Sequence, residues 1–85
     1  MNKNTAIIVV HCPDKVGIIA EVTKYIHQHL GNIINLEQHV DAEDESFFMR
    51  VEWDLTGFAI PKTAIESSFQ ATIADHFEMK WRLYF

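Results

Sequence analysis

The first hydrophobic stretch of the chain, Ala6-Ile7-Ile8-Val9-Val10, is a β-branched run without a polar interruption, which predicts a short central strand buried on both faces. His11-Cys12-Pro13-Asp14 follows, and proline, which has no N–H to give to a ladder, is expected to end it. From Gly17 to Leu30 the apolar residues Ile18, Ile19, Val22, Ile26 and Leu30 recur at helical spacing, with Glu21, Lys24 and Gln28 elsewhere on the wheel. Gly31 is the expected left-handed residue that closes this first helix. Asn32 to Asp41 is richer in strand formers, and alternation puts Ile34, Leu36 and Val40 on one face and Asn35, Glu37 and His39 on the other, as in a half-exposed edge strand.

The acidic run Asp41-Ala42-Glu43-Asp44-Glu45-Ser46 separates that strand from Phe47 to Trp53, where Phe47, Met49, Val51 and Trp53 alternate with Phe48, Arg50 and Glu52. The two strands are expected to form a hairpin. Thr56-Gly57 breaks the second of them, Pro61 fits a first helical position, and Ile65, Phe69, Ile73 and Phe77 make a stripe at four-residue spacing along a second helix. Met79, Trp81, Leu83 and Phe85 alternate with Lys80, Arg82 and Tyr84 as a last strand. The order β-α-β-β-α-β, with both helices amphipathic, predicts a ferredoxin-like α+β sandwich: a four-stranded antiparallel sheet, strand order 4-1-3-2, with two helices on one face. Residues 1-85 read as one domain, without linker, repeat or low-complexity segment.

Composition narrows the function classes. A chain of 85 residues buries roughly 60–65% of the surface that its unfolded form exposes, so a partner that covers more surface, a second copy or a larger protein, is expected. No apolar run approaches the roughly 20 residues that span a bilayer, and no membrane partner is expected. The net charge of -5, with the seven Lys and Arg residues scattered, argues against nucleic acid. Cys12 is the single cysteine, and Met-Asn-Lys-Asn-Thr at the start lacks the apolar region of a secretory signal, so the expected setting is the cytoplasm.

The strongest chemical signal is the junction Cys12-Pro13-Asp14-Lys15-Val16-Gly17-Ile18-Ile19. The first turn of a helix has amide N–H groups without intrahelical partners and a partial positive charge, so it attracts a carboxylate, and a glycine lets ligand atoms approach the backbone. Asp14 could meet an ammonium group, and Asn32-Ile33 offers an amide and an apolar surface at the start of the second strand. These complementary halves suit a free amino acid. The plainer reading is that Asp14 caps the helix and Gly17 allows tight helix–sheet packing, and spacing alone leaves both open.

The β-α-β-β-α-β order, Asp14-x-x-Gly17-Ile18 and Gly31-Asn32-Ile33 resemble the ACT domain family over essentially the whole chain. Within it the chain is similar to the N-terminal ACT module of the formyltetrahydrofolate deformylases, through His11 to Ile18, Gly31-Asn32-Ile33, Gln38-His39-Val40-Asp41 and Phe47 to Trp53. The resemblance implies a regulatory module that binds a small amino acid effector at a subunit interface, through Asp14, Gly17, Ile18, Asn32 and Ile33, and that pairs with itself as a homodimer or larger assembly. It also implies a C-terminal catalytic domain, which hydrolyses 10-formyltetrahydrofolate to formate and tetrahydrofolate with Asn, His and Asp residues. The chain ends at Tyr84-Phe85, before such a domain would begin, so a fragment or free-standing module without catalytic residues or cofactors is expected. The alternative is a ferredoxin-like structural interaction domain without a ligand.

Other constellations carry less. Five histidines (His11, His27, His29, His39, His76) show no metal-ligand spacing, because His27 and His29 point to different sides of a helix and the third strand separates the first two. Cys12 lacks an assignable relay and is expected to be a semi-buried thiol. Phe48 and Arg50 stand on the face opposite the core, where RNA-binding sheets place their stacking aromatics, but the acidic balance disfavours RNA, and Phe48, with Tyr84 nearby, is expected to face another subunit or domain. The acidic stretch Asp41 to Glu45 lacks calcium-loop spacing and suffices as a solvated turn.

Overall fold

The computed structural model describes residues 4–85. Strand β1 (Thr5–Pro13) leads to helix α1 (Ile18–Gln28), then to strands β2 (Asn32–Asp41) and β3 (Ser46–Asp54). Helix α2 (Lys62–Phe69) runs through a π-helical turn (Gln70–Ala74) into a last helical turn, α3 (Asp75–Phe77), and β4 (Lys80–Tyr84) completes the sheet. The sheet has four strands in the order β2-β3-β1-β4, and every neighbouring pair is antiparallel. This is the expected ferredoxin-like βαββαβ sandwich.

The core lies on the helix-covered face. Ala6, Ile8, Val10 and Cys12 of β1 and Phe47, Met49, Val51 and Trp53 of β3 are buried there against Ile18, Val22, Tyr25 and Ile26 of α1 and Ile65, Phe69, Ile73 and Phe77 from the α2–α3 segment. The four-residue stripe of that segment needs the π-helical turn. At 3.6 residues per turn each four-residue step overshoots by about 40°, so three steps would carry Phe77 roughly 120° away from Ile65. A wider i→i+5 turn rotates the chain less per residue and keeps all four side chains inward.

Four local expectations need correction. β1 is buried on one face only: Ala6, Ile8, Val10 and Cys12 point inward, whereas Val9 is 40% exposed, so the uninterrupted apolar run is an alternating strand whose outer side is also apolar. The strand runs on through His11 and Cys12 and ends on Pro13, opposite Ser46, where proline was expected to stop it. Helix α1 closes on Leu30 and not on Gly31: Leu30 has φ 68°, its N–H donates to the His27 carbonyl, and the Gly31 N–H donates to the Ile26 carbonyl. Gly31 answers a different need, since a Cβ there would stand 2.6 Å from Ile26 Cγ2 and 2.9 Å from Trp53 Cδ1.

In β2 the register shifts between Ile33 and Asn35, so Ile33 pairs with Trp53 and Leu36 with Val51 on the core side, and Ile34 is turned out. Finally, Pro61 has φ -61° and ψ 147°, the extended geometry of an N-cap, one position before the first helical residue.

Candidate functional site

Asp14 and Gly17 occupy the turn between β1 and α1. The Asp14 N–H donates to the Glu45 carbonyl over 2.8 Å, so this turn is tied to the β2–β3 hairpin. Within that hairpin Asp41 Oδ1 accepts from the N–H groups of Glu43 and Asp44, and the acidic run is a turn held by its own first carboxylate. Gly17 is the N-cap residue of α1, with φ 94°, in the left-handed region that disfavours a side chain. A Cβ at Gly17 would meet nothing within 4 Å, so the glycine serves backbone conformation and not helix–sheet packing.

Among the described residues no side chain caps α1. Its first intrahelical bond runs from the Glu21 N–H to the Gly17 carbonyl, which leaves the amides of Ile18, Ile19 and Ala20 without helical acceptors. Asp14 is exposed and makes no side-chain hydrogen bond or ion pair among the described residues, so it is not the cap that the plainer reading required. The result is a helix N-terminus with free donors, a carboxylate three residues upstream, and Val16 fully exposed between them. Val16 belongs to neither helical stripe, so periodicity does not mark it; a valine beside a glycine in the Pro13–Gly17 junction is the signal the sequence offers.

The remaining candidates are distributed unevenly. Ile18 is buried in the core, so only its backbone faces the turn. Asn32 is exposed and Ile33 is half-buried against the core. Both sit at the far end of the sheet: Asn32 pairs with Asp54 and Asp54 with Thr5, whereas Asp14 follows Pro13, which pairs with Ser46. The eight steps from Thr5 to Pro13 span roughly 26 Å, so within one chain Asp14 and Gly17 do not meet Asn32 and Ile33. The β2 residues at the Asp14 end are Gln38 and Val40, both exposed on the helix side of the sheet and outside the expected ligand set, although both belong to the Gln38–Asp41 segment that carries the family resemblance.

Cys12 lies inside the core beside this turn. Burial, reinforced by the Asp14 carboxylate and opposed by Lys15, pushes its thiol above the ordinary value, the reverse of what a nucleophile requires. Asp54 at the opposite end accepts from the Thr56 N–H over 2.8 Å, which holds its carboxyl below the usual range. Among the described residues no cluster of histidine, cysteine and acidic side chains has the geometry of a metal site, and no helix is long and apolar enough to cross a membrane.

A second surface is the open face of the sheet. Across it run His39, Phe48, His11 and Lys80 as one row, then Glu37, Arg50, Val9 and Arg82, then Asn35, Glu52, Ile7 and Tyr84. The His11 and Phe48 rings stack 4.4 Å apart at 6°, and His39 lies 6.3 Å from Phe48 on its other side. Phe48 thus has an imidazole on either side and offers no free ring face of the kind on which a nucleobase stacks. The first two rows line a shallow concavity of about 700 Å³.

Comparison with known proteins gives a consistent picture. The family model described as "ACT domain" matches residues 6–54. The formyltetrahydrofolate deformylase of Synechocystis is 35% identical over 85 residues, all of this chain and 30% of the relative. That of Bacillus subtilis is 35% identical over 83 residues, 96% of this chain and 27% of its own. The chain therefore spans less than a third of the length of these relatives. Among solved structures, a formyltetrahydrofolate deformylase from Pseudomonas syringae superposes with a TM-score of 0.91 at 32% identity, over 99% of this chain and 28% of that one. An ACT domain protein from Streptococcus pneumoniae superposes with a TM-score of 0.79 at 29% identity, over 98% of this chain and 90% of that one.

Proposed function

The chain belongs to the ACT domain family, and from that premise we propose that it is a regulatory module that binds a small free amino acid between two copies of itself. The observation that carries this reading is the uncapped N-terminus of α1. The amides of Ile18, Ile19 and Ala20, with the positive end of the helix dipole behind them, receive the ligand carboxylate, an interaction worth about 0.3–1 kcal/mol at an exposed end and up to about 2 kcal/mol when partly buried. Asp14 receives the ammonium group. Gly17, without a side chain, leaves the approach open.

Association completes the site. The two sheet edges differ: β4 is short and carries Lys80 and Arg82, whereas β2 runs for ten residues with Glu37 and the terminal Asp41 as its only formal charges. Short, cationic edges resist strand addition and long, uncharged ones invite it, so β2 is the edge that pairs with a second copy. A two-fold axis at the middle of β2 brings Asn32 and Ile33 of one copy to the Val40–Asp41 end of the other, and so toward the other's Asp14 and Gly17. A ligand held from both sides favours the dimer by its differential affinity for it.

The relatives named formyltetrahydrofolate deformylase supply the wider context. We place this module as the N-terminal regulator of such an enzyme, in which a C-terminal catalytic domain hydrolyses 10-formyltetrahydrofolate to formate and tetrahydrofolate. The 85-residue chain itself is expected to release formate from that substrate no faster than buffer does.

Calorimetric titration with each of the twenty amino acids tests the ligand reading. A saturable heat with at least one small amino acid, weakened at least roughly tenfold in Asp14→Asn by loss of a charge-assisted bond, is the expected result. No binding by any of them, or equal binding by the variant, would leave the ferredoxin-like interaction domain without a ligand as the better account.

A further inference from the structure

The open face of the sheet is apolar along its middle and charged on either side, and its charges form a pattern. Ile7 and Val9 of β1 lie side by side with Glu52 and Arg50 of β3 respectively, and Arg82 and Tyr84 of β4 occupy the same two rows. Arg50 Nη2 is 3.8 Å from Glu52 Oε1 within the chain.

We propose that this face packs against the open face of a second copy, related by a two-fold axis that runs across the strands between these two rows. Such an axis reverses the order of the rows and keeps each strand over its own counterpart. Arg50 then stands over Glu52 of the partner subunit, and the reverse pair forms beside it, joining two existing ion pairs into a network of four charges. Val9 covers Ile7 of the partner subunit in the apolar centre, and Arg82 lies over the ring of Tyr84 of the partner subunit, a cation–π arrangement. The row of His39, Phe48 and His11 reaches toward Asn32, Asp54 and Thr5 of the partner subunit.

Charge selects this axis over the other face-to-face choice. A two-fold axis parallel to the strands would set the acidic hairpins, Asp41 to Glu45, at the same end of the sandwich, whereas the axis across the strands sends them to opposite ends. The face measures roughly 19 by 26 Å, on the order of 500 Å² per copy, below the roughly 800 Å² of a standard interface. A contact of this size falls among weak, transient interfaces. It leaves the free backbone hydrogen-bonding groups of the β2 edge unused, so the two contacts together build a tetramer of two edge-paired dimers, and each can fail without the other.

Cysteine cross-linking tests the arrangement. Ile7→Cys and Val9→Cys are made separately, mixed and treated with a short bismaleimide, because facing sheets stand about 10 Å apart, beyond the reach of a disulfide; the native Cys12 is buried and gives little background. The expected product is the mixed dimer of the two variants, in several-fold excess over either self-linked dimer. Self-linked dimers in equal or greater yield, or no cross-link at all, would overturn the proposal, the latter pointing to a different occupant such as a neighbouring domain of a longer chain. Sedimentation gives the second reading. Arg50→Glu should raise the open-face dissociation constant at least about tenfold, and Arg50→Glu with Glu52→Arg should restore it to within about threefold. Equal loss in the single and double variants contradicts the pairing, while amino-acid binding at the α1 terminus stays measurable in both.

Discussion

Val9 and Val10 are the same side chain one residue apart, and the sheet treats them oppositely. Val10 is 1% exposed, packed beneath the helices with Ile8, Met49 and Val51, whereas Val9 is 40% exposed between Arg50 and Arg82. The difference separates the face that the fold covers by itself from the face that it leaves open. On the helix-covered face every apolar position of β1 and β3 finds a neighbour within the chain. On the open face the apolar centre of β1 is bordered by charges and stacked rings that have few partners of their own.

The first way to break this comparison is to remove the largest side chain from the covered face. Trp53 is fully buried, and Trp53→Ala should cost about 3–5 kcal/mol of unfolding free energy in a urea titration, enough to unfold much of a domain this small. The Trp53 Nε1 hydrogen has no acceptor among the described residues, so Trp53→Phe, which also removes that donor, should cost clearly less than truncation to alanine.

The valine pair sharpens the comparison at constant chemistry. Val10→Ala should destabilise by about 2–3 kcal/mol at every protein concentration, while Val9→Ala should cost under about 0.5 kcal/mol in dilute monomer and show its effect in association. Equal costs for the two would mean that the faces are not distinct. A small effect of opposite sign lies outside both faces, at Leu30. This leucine is 69% exposed and left-handed, so Leu30→Gly should relieve about 1–2 kcal/mol of strain against about 0.5–1 kcal/mol of added chain entropy, a net gain of roughly 0.5 kcal/mol.

Periodicity sufficed for the element order, the sheet topology and the buried stripes, because period-two and four-residue patterns map directly onto faces. It failed where one residue changes the count. The extra residue at Ile34 shifts the start of β2, so Ile33 and not Ile34 packs inward, and nothing in Asn32-Ile33-Ile34-Asn35 marks which isoleucine is turned out. Leu30 and Gly31 stand side by side at a helix end, and composition favours glycine as the left-handed residue; a steric limit set by Ile26 and Trp53, distant in sequence, assigns it elsewhere. An uninterrupted run such as Ile7-Ile8-Val9-Val10 does not distinguish burial by helices from burial by a partner. The candidate site was half legible: Asp14 and Gly17 follow from local chemistry, whereas Asn32 and Ile33 lie at the opposite end of the sheet, and only the proposed pairing of two copies would bring them together.

The account therefore rests most heavily on the free amides at the start of α1. Amide chemical shifts of the isotopically labelled chain, followed during titration with the amino acid that gives the largest calorimetric response, test it directly. The prediction is that Ile18, Ile19 and Ala20 shift first and furthest, that Asn32 shifts with them, and that Asp14→Asn abolishes the response at the same ligand concentration. Shifts confined to the open face around Phe48, with the first turn of α1 unmoved, would contradict it.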